Sequence, residues 1–173
     1  MNENKSLSNT EIDVAVKTLS SSSSKKKENN HIVLIIDDDK WVQRVLGHYL
    51  KEWGFQPESA LDPLDGIALA VGHRPLLIIL DIIMPEVHGD ILLKMLKRIE
   101  LTADIPVIVM SGNLNKEILG NTFKEGAAGF ISKPISQDIL YQKINDCLGP
   151  QIFHEVEATR KAEKLQMVYP GTP

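Results

Sequence analysis

Cysteine is nearly absent from this chain, since Cys147 is the only one among 173 residues. A single thiol cannot form an intrachain disulfide, so a hydrophobic core must hold the fold together, and we expect a cytoplasmic protein. Apolar runs are short as well. None approaches the roughly 20 residues of a membrane-spanning helix, and residues 1–10 lack the apolar segment of a secretion signal. We therefore expect no membrane insertion.

Positive charge is also in short supply, because 19 Lys and Arg residues stand against 23 Asp and Glu residues, for a net charge of −4. Nucleic acids are bound through basic surfaces, so we expect no direct nucleic-acid binding. The five histidines are scattered, without the spacing of a metal site. No G-x-G-x-x-G turn follows the first predicted strand, which argues against a dinucleotide-binding domain.

Composition divides the chain into three parts. Residues 1–30 end in the low-complexity stretch SSSSSKKKENN, which predicts a flexible N-terminal tail. Residues 31–148 carry the strongly apolar segments and form the predicted compact domain. Residues 149–173 begin with a Gly-Pro pair and form a predicted C-terminal tail with some helical character.

Within residues 31–148, apolar residues switch repeatedly between continuous runs and helical spacing. The run from His31 to Ile36 is typical of a strand buried on both faces. The next apolar residues recur on one helical face, and Gly54 ends that pattern. Five such alternations predict an α/β fold, with a doubly wound five-stranded parallel sheet in the flavodoxin-like order 2-1-3-4-5 and helices on both faces. Pro57 restricts the second strand to an edge, as this order requires.

Acidic residues stand where the first and third predicted strands end. In this strand order the two ends meet at the switch point of the winding, where ligands bind. Asp37 and Asp38 should therefore lie near Asp81, and repulsion between their carboxylates favours a bound cation, for which Mg²⁺ fits oxygen ligands well. We assign Asp39 to the start of the next helix, although pairing of Asp38 with Asp39 stays open.

The ends of the fourth and fifth predicted strands add a hydroxyl group and an amine. Ser111 ends the fourth strand, and Lys133 follows the fifth. A carboxylate nucleophile beside a metal ion, with a lysine and a hydroxyl to hold oxygens, is typical of a site that accepts a phosphoryl group.

Four stretches, taken in their order and spacing, resemble the response-regulator receiver domain of two-component signalling over residues 31–148. They are the DDD triplet, LDIIMPEVHG around Asp81, VIVMSG around Ser111 and GFISKP around Lys133. The resemblance implies a stand-alone response regulator that accepts a phosphoryl group on Asp81 from a sensor histidine kinase or a phosphotransfer protein. It would then bind an unidentified downstream protein. Such a domain is not a conventional enzyme, since it catalyses only its own phosphorylation and dephosphorylation.

The resemblance also implies a metal-binding role for each acid. Asp38 would ligate Mg²⁺ directly, and Asp37 mostly through water. Asp81 and the backbone carbonyl of Ile83 would complete the coordination by the protein.

Three further residues receive roles from the same resemblance. Lys133, which precedes a cis proline in such domains, would pair with the acceptor carboxylate and later with a phosphoryl oxygen. Ser111 would donate a hydrogen bond to another of these oxygens. Phe130 would be the aromatic switch residue, although it lacks the hydroxyl of a tyrosine. The switch surface would be the fourth helix, fifth strand and fifth helix, at about residues 115–148.

One alternative also uses an aspartyl nucleophile on an α/β sheet, namely a phosphatase of the haloacid-dehalogenase type. That chemistry requires a second aspartate two residues after the nucleophile, as general acid. Ile83 occupies this position, which argues against the alternative.

Overall fold

The computed structural model describes residues 31–85, 89–112 and 116–168. The predicted N-terminal tail, residues 1–30, and residues 169–173 of the predicted C-terminal tail lie outside them. The strands are β1 (Ile32–Ile36), β2 (Gln56–Ala60), β3 (Leu77–Asp81), β4 (Val107–Ser111) and β5 (Gly129–Ser132). The helices are α1 (Lys40–Trp53), α2 (Pro63–His73), α3 (Gly89–Arg98), α4 (Lys116–Lys124), α5 (Gln137–Leu148) and α6 (Pro150–Val168).

The five strands form one parallel sheet in the order β2-β1-β3-β4-β5. This confirms the predicted fold, including the edge position of the strand that contains Pro57. β1, β3 and β4 are buried along their whole length, because apolar clusters cover both faces of the sheet. One cluster includes side chains of α2 and α3, and the other includes side chains of α1, α5 and α6. The acids that follow β1 and end β3 are thereby brought together at the carboxyl-terminal end of the sheet.

Helix α6 packs back onto the end of α1. Val156 is fully buried in the core, and the ring of Phe153 lies 5.2 Å from that of Phe55. Gly54 ends α1 with φ of 95°, a conformation that favours glycine, and a Cβ there would lie 3.0 Å from a methyl carbon of Val156. The division of the chain into a domain that ends at residue 148 and a tail stays a prediction.

No helix among the described residues is long and apolar enough to cross a membrane.

Candidate functional site

The ends of β1 and β3 bring three carboxylates together. One carboxylate oxygen from each of Asp37, Asp38 and Asp81 lies within 4.8 Å of the other two. Asp39 instead accepts a hydrogen bond from the backbone nitrogen of Trp41 at 2.7 Å and caps the start of α1. The structure therefore groups Asp37 and Asp38 with Asp81, and not the pair of Asp38 and Asp39.

Asp37 is the most deeply buried of these acids, since it is 0% exposed, whereas Asp38 is exposed. The Oδ1 atom of Asp37 accepts a hydrogen bond from the backbone nitrogen of Asp39 at 2.8 Å, and Oδ2 accepts one from Nζ of Lys133 at 2.8 Å. Burial raises the pKa of the Asp37 carboxyl because it removes water from the charged form, and the hydrogen bond from Lys133 offsets only part of this.

Asp81 is held through both of its carboxylate oxygens and is only 4% exposed. Oδ2 accepts a hydrogen bond from Nζ of Lys133 at 2.7 Å, and Oδ1 accepts one from the backbone nitrogen of Ile83 at 3.0 Å. Burial by itself would lower the pKa of Lys133, but its hydrogen bonds to Asp37 and Asp81 outweigh burial and raise it. The ammonium therefore stays charged at neutral pH and neutralises part of the acidic cluster.

Ser111 and Lys133 are connected through the backbone. Ser111 is buried at the end of β4, and its carbonyl oxygen accepts a hydrogen bond from the backbone nitrogen of Lys133 at 2.9 Å. The peptide bond between Lys133 and Pro134 is cis, as the resemblance predicts. The ends of β4 and β5 thus lie at the same carboxyl-terminal end of the sheet as the acids.

Phe130 and Ile83 occupy different positions around this cluster. Phe130 is half-buried in β5 and packs edge to face on Phe123 of α4, with ring centroids 4.4 Å apart. The side chain of Ile83, two residues after Asp81, is 52% exposed. The individual roles assigned to these residues, and to Asp37, Asp38, Asp81, Ser111 and Lys133, stay predictions.

The donor set fits a hard divalent cation. Carboxylate oxygens are ligands that Mg²⁺ prefers, and Mg²⁺ commonly binds through one or two carboxylates and several waters. The three acids repel one another, and one lysine offsets only part of their charge, so a cation would relieve the remaining repulsion.

Two residues that shape this site received no role from the sequence, although Gly89 ends the stretch LDIIMPEVHG. Nε2 of Gln43 donates hydrogen bonds to the backbone oxygens of Asp37 and Ala60, both at 2.7 Å. A Cβ at Gly89 would lie 2.4 Å from the backbone oxygen of Asp81, so only glycine allows α3 to approach the strand end this closely. Gln43 gave no signal because helical spacing identifies only apolar positions. The close approach at Gly89 is a contact between separate elements.

A doubly wound parallel sheet that carries three carboxylates and a lysine at its switch point defines a receiver-type signalling domain. The model of the response regulator receiver domain family matches residues 33–145, and the chain belongs to this family. Membership implies that the domain accepts a phosphoryl group on an aspartate in two-component signalling. The family is a signalling module and not a conventional enzyme.

Curated relatives share the domain at moderate identity. The chain is 35% identical over 112 residues to the DNA-binding dual master transcriptional regulator RpaA of Synechocystis sp., covering 64% of this chain and 46% of RpaA. It is 30% identical over 102 residues to the protein PilH of Pseudomonas aeruginosa, covering 58% of this chain and 83% of PilH. The chain spans about half the length of RpaA and of two proteins named as probable transcriptional regulators ycf29, from Porphyra purpurea and Pyropia yezoensis.

Solved structures show the same fold. The chemotaxis protein CheY4 of Vibrio cholerae aligns with a TM-score of 0.65 at 25% identity, over 68% of this chain and 98% of CheY4. A two-component response regulator from Clostridium difficile aligns with a TM-score of 0.64 at 28% identity, over 69% of this chain and 97% of that protein.

The prediction of no direct nucleic-acid binding, which was drawn from the net charge, is wrong. RpaA, which shares the receiver domain with this chain, is a DNA-binding regulator. The aligned part covers only 46% of RpaA. The charge of a receiver domain therefore does not decide whether a protein that contains one contacts DNA.

Proposed function

We propose that this chain is a phosphorylation-controlled signalling domain in which Asp81 accepts a phosphoryl group from a histidine kinase or a phosphotransfer protein. The observation that carries the proposal is the position of Lys133, whose Nζ lies 2.7 Å from Asp81 and 2.8 Å from Asp37 within the acidic cluster. Asp81 stands at the end of the central strand β3, where both of its oxygens are oriented by hydrogen bonds.

The chain itself supplies the groups that such a transfer needs. An oxygen of Asp81 forms the new bond to phosphorus while the bond between phosphorus and the donor nitrogen breaks. The ammonium of Lys133 then moves from the carboxylate to a phosphoryl oxygen, and the hydroxyl of Ser111 donates to another. These positive and hydrogen-bonding groups stabilise the negative charge on the transferred phosphoryl oxygens. In this sense the domain catalyses its own phosphorylation. In dephosphorylation, water attacks the phosphorus, the bond from phosphorus to the Asp81 oxygen breaks, and inorganic phosphate leaves.

Metal binding would involve the acidic cluster and one backbone group. Asp38 would bind Mg²⁺ directly, Asp37 mostly through water, and Asp81 and the backbone carbonyl of Ile83 would complete the protein ligands. A bound Mg²⁺ would neutralise charge on the phosphoryl oxygens. Asp38 is exposed, whereas both oxygens of Asp37 already accept hydrogen bonds, which supports this division of roles.

The switch would lie on α4, β5 and α5. Once Ser111 has moved toward the phosphoryl group, the ring of Phe130 turns inward and leaves its contact with Phe123. Phe130 has no hydroxyl, so this change alters apolar packing and not a side-chain hydrogen bond. We expect the domain to act in the cytoplasm, since one cysteine fits a reducing compartment.

Phosphorylation by a small donor tests the proposal directly. The full chain is incubated with Mg²⁺ and acetyl phosphate, and its mass is measured before and after treatment with hydroxylamine, which cleaves acyl phosphates. We expect the mass to rise by one phosphoryl group that hydroxylamine removes. Asp81→Asn should show no increase. The matched variant Asp39→Asn, which keeps a good helix cap, should behave like the wild type.

Two results would contradict the proposal. One is a wild-type chain that gains no phosphoryl group at saturating Mg²⁺ and acetyl phosphate. The other is an Asp81→Asn variant that gains it as readily as the wild type.

A further inference from the structure

The side chain of Gln43 joins the ends of two neighbouring strands. Its Nε2 atom donates to the backbone oxygen of Asp37, which follows β1, and to that of Ala60, which ends β2, both at 2.7 Å. The backbone nitrogen of Asp37 also donates to the oxygen of Ala60, at 3.2 Å. A primary amide has two N–H donors on one nitrogen, which matches two carbonyls that face the same point.

Gln43 completes the set of contacts that hold Asp37. The side chain of Asp37 is held by the backbone of Asp39 and by Lys133, its N–H group by Ala60, and its carbonyl by Gln43. That carbonyl belongs to the peptide unit that leads into Asp38. Because a peptide unit is planar, fixing its oxygen fixes the direction in which the chain enters Asp38.

We propose that Gln43 is a positioning residue for the cation site, which holds the peptide between Asp37 and Asp38 so that both carboxylates face Asp81 before a metal binds. This inference rests on the proposed function, because it assigns Gln43 a role in metal binding at that site. Gln43 bonds to backbone atoms and is not itself a ligand. Groups that orient the ligands of a metal commonly change its affinity by about 10–100-fold when they are replaced.

Two substitutions distinguish the effect of the hydrogen bonds of Gln43 from the effect of its side-chain size. Gln43→Met keeps the length but removes both donors. Gln43→Glu keeps the shape but turns an oxygen toward two carbonyl oxygens. Val45→Met is the matched control, since Val45 is a neutral and partly exposed residue two positions further along α1. All variants are made in the full chain.

The measurement is calorimetric titration with Mg²⁺ alone, together with the Mg²⁺ dependence of phosphorylation by acetyl phosphate. We expect both Gln43 variants to bind Mg²⁺ about tenfold more weakly, or worse, and Val45→Met to bind it as the wild type does. At saturating Mg²⁺, Gln43→Met should recover phosphorylation at Asp81. A merely structural role would lower the melting temperature but leave the Mg²⁺ affinity of the folded protein unchanged.

A folded Gln43→Met variant with the Mg²⁺ affinity of the wild type would overturn the inference. If neither Gln43 variant folds, the wild type still supplies a test by NMR. The side-chain amide protons of Gln43 should exchange slowly with solvent and shift when Mg²⁺ is added, and fast exchange without a shift would overturn the inference. A wild type that is not phosphorylated at Asp81 would instead refute the proposed function.

Discussion

The Nζ atom of Lys133 lies 2.7 Å from Oδ2 of Asp81, although 52 positions separate the two residues along the chain. The same nitrogen lies 2.8 Å from Oδ2 of Asp37, 96 positions away. One ammonium thus compensates two carboxylates that are almost inaccessible to water. Removing one partner of a buried ion pair is costly because the remaining charges stay buried without compensation.

Lys133→Met should therefore destabilise the chain at neutral pH when no metal is present. We expect a loss of about 1–3 kcal/mol in the free energy of unfolding, below the roughly 3–5 kcal/mol of a fully buried pair, because the Lys133 side chain is 23% exposed. Mg²⁺ should restore much of this loss, since it would compensate the same carboxylates. Urea unfolding with and without Mg²⁺ measures both effects.

Lys94→Met is the control for this prediction. It breaks a partly exposed ion pair with Glu125 at 3.3 Å, and solvent-accessible pairs contribute at most about 1 kcal/mol. Equal losses in the two variants, or a loss in Lys133→Met that does not respond to Mg²⁺, would contradict the account of Lys133.

The raised pKa of Asp37 predicts a pH-dependent effect of Mg²⁺. An aspartate whose pKa is higher in the folded state favours folding below its unfolded value of about 3.9, and this contribution is lost as the pH rises through the folded pKa. Metal binding requires the deprotonated carboxylate. The increase in melting temperature caused by Mg²⁺ should therefore be small near pH 4 and grow to a plateau above the raised pKa.

Thermal unfolding across a pH series, with and without Mg²⁺, measures this dependence. In Asp37→Asn, the increase in melting temperature caused by Mg²⁺ should grow less between pH 4 and pH 7, because residue 37 no longer has a proton to lose. A stabilisation by Mg²⁺ that is as large at pH 4 as at pH 7 would contradict the coupling between deprotonation of Asp37 and metal binding.

Ile83 should lengthen the life of the phosphorylated state. Its exposed side chain lies two residues after Asp81 and cannot orient an attacking water molecule. Ile83→Asn introduces groups that can do so, and we expect loss of the phosphoryl group to become about tenfold faster. The decay of phosphorylated protein after removal of acetyl phosphate measures the rate. Ile83→Leu should decay as slowly as the wild type, and an unchanged rate in Ile83→Asn would refute this explanation. We also expect Asn113, two residues after Ser111, to flank the path of this water, but Asn113 lies outside the described residues.

The contact between Phe123 and Phe130 should oppose the switch. An edge-to-face aromatic pair contributes about 0.5–1.5 kcal/mol beyond its buried area, and the proposed inward turn of Phe130 would lose this contact. Phe123→Ala should therefore lower the acetyl phosphate concentration at half-maximal phosphorylation by about two- to tenfold. Leu64→Ala, which shortens an exposed apolar residue on α2, outside the proposed switch, should leave that concentration unchanged. Equal responses in the two variants would contradict a role for Phe130 in the switch.

Local sequence patterns determined the secondary structure and strand order of this protein. The apolar run before Asp37, the single acid at the end of β3 and Pro57 in β2 all act through burial or backbone geometry that a short stretch of sequence specifies. The doubly wound order followed from these elements, and it correctly brought Asp37 and Asp38 to Asp81.

Tertiary structure alone decided the finer contacts. Three contacts join separate elements of the fold: the bonds from Gln43 to two strand ends, the close approach of Gly89 to the oxygen of Asp81, and the packing of Val156 on the end of α1. Local preferences do not encode such contacts, because they depend on the relative positions of elements after packing. Composition also misled the prediction about nucleic acids, since net charge describes the chain and not the larger proteins in which such domains occur.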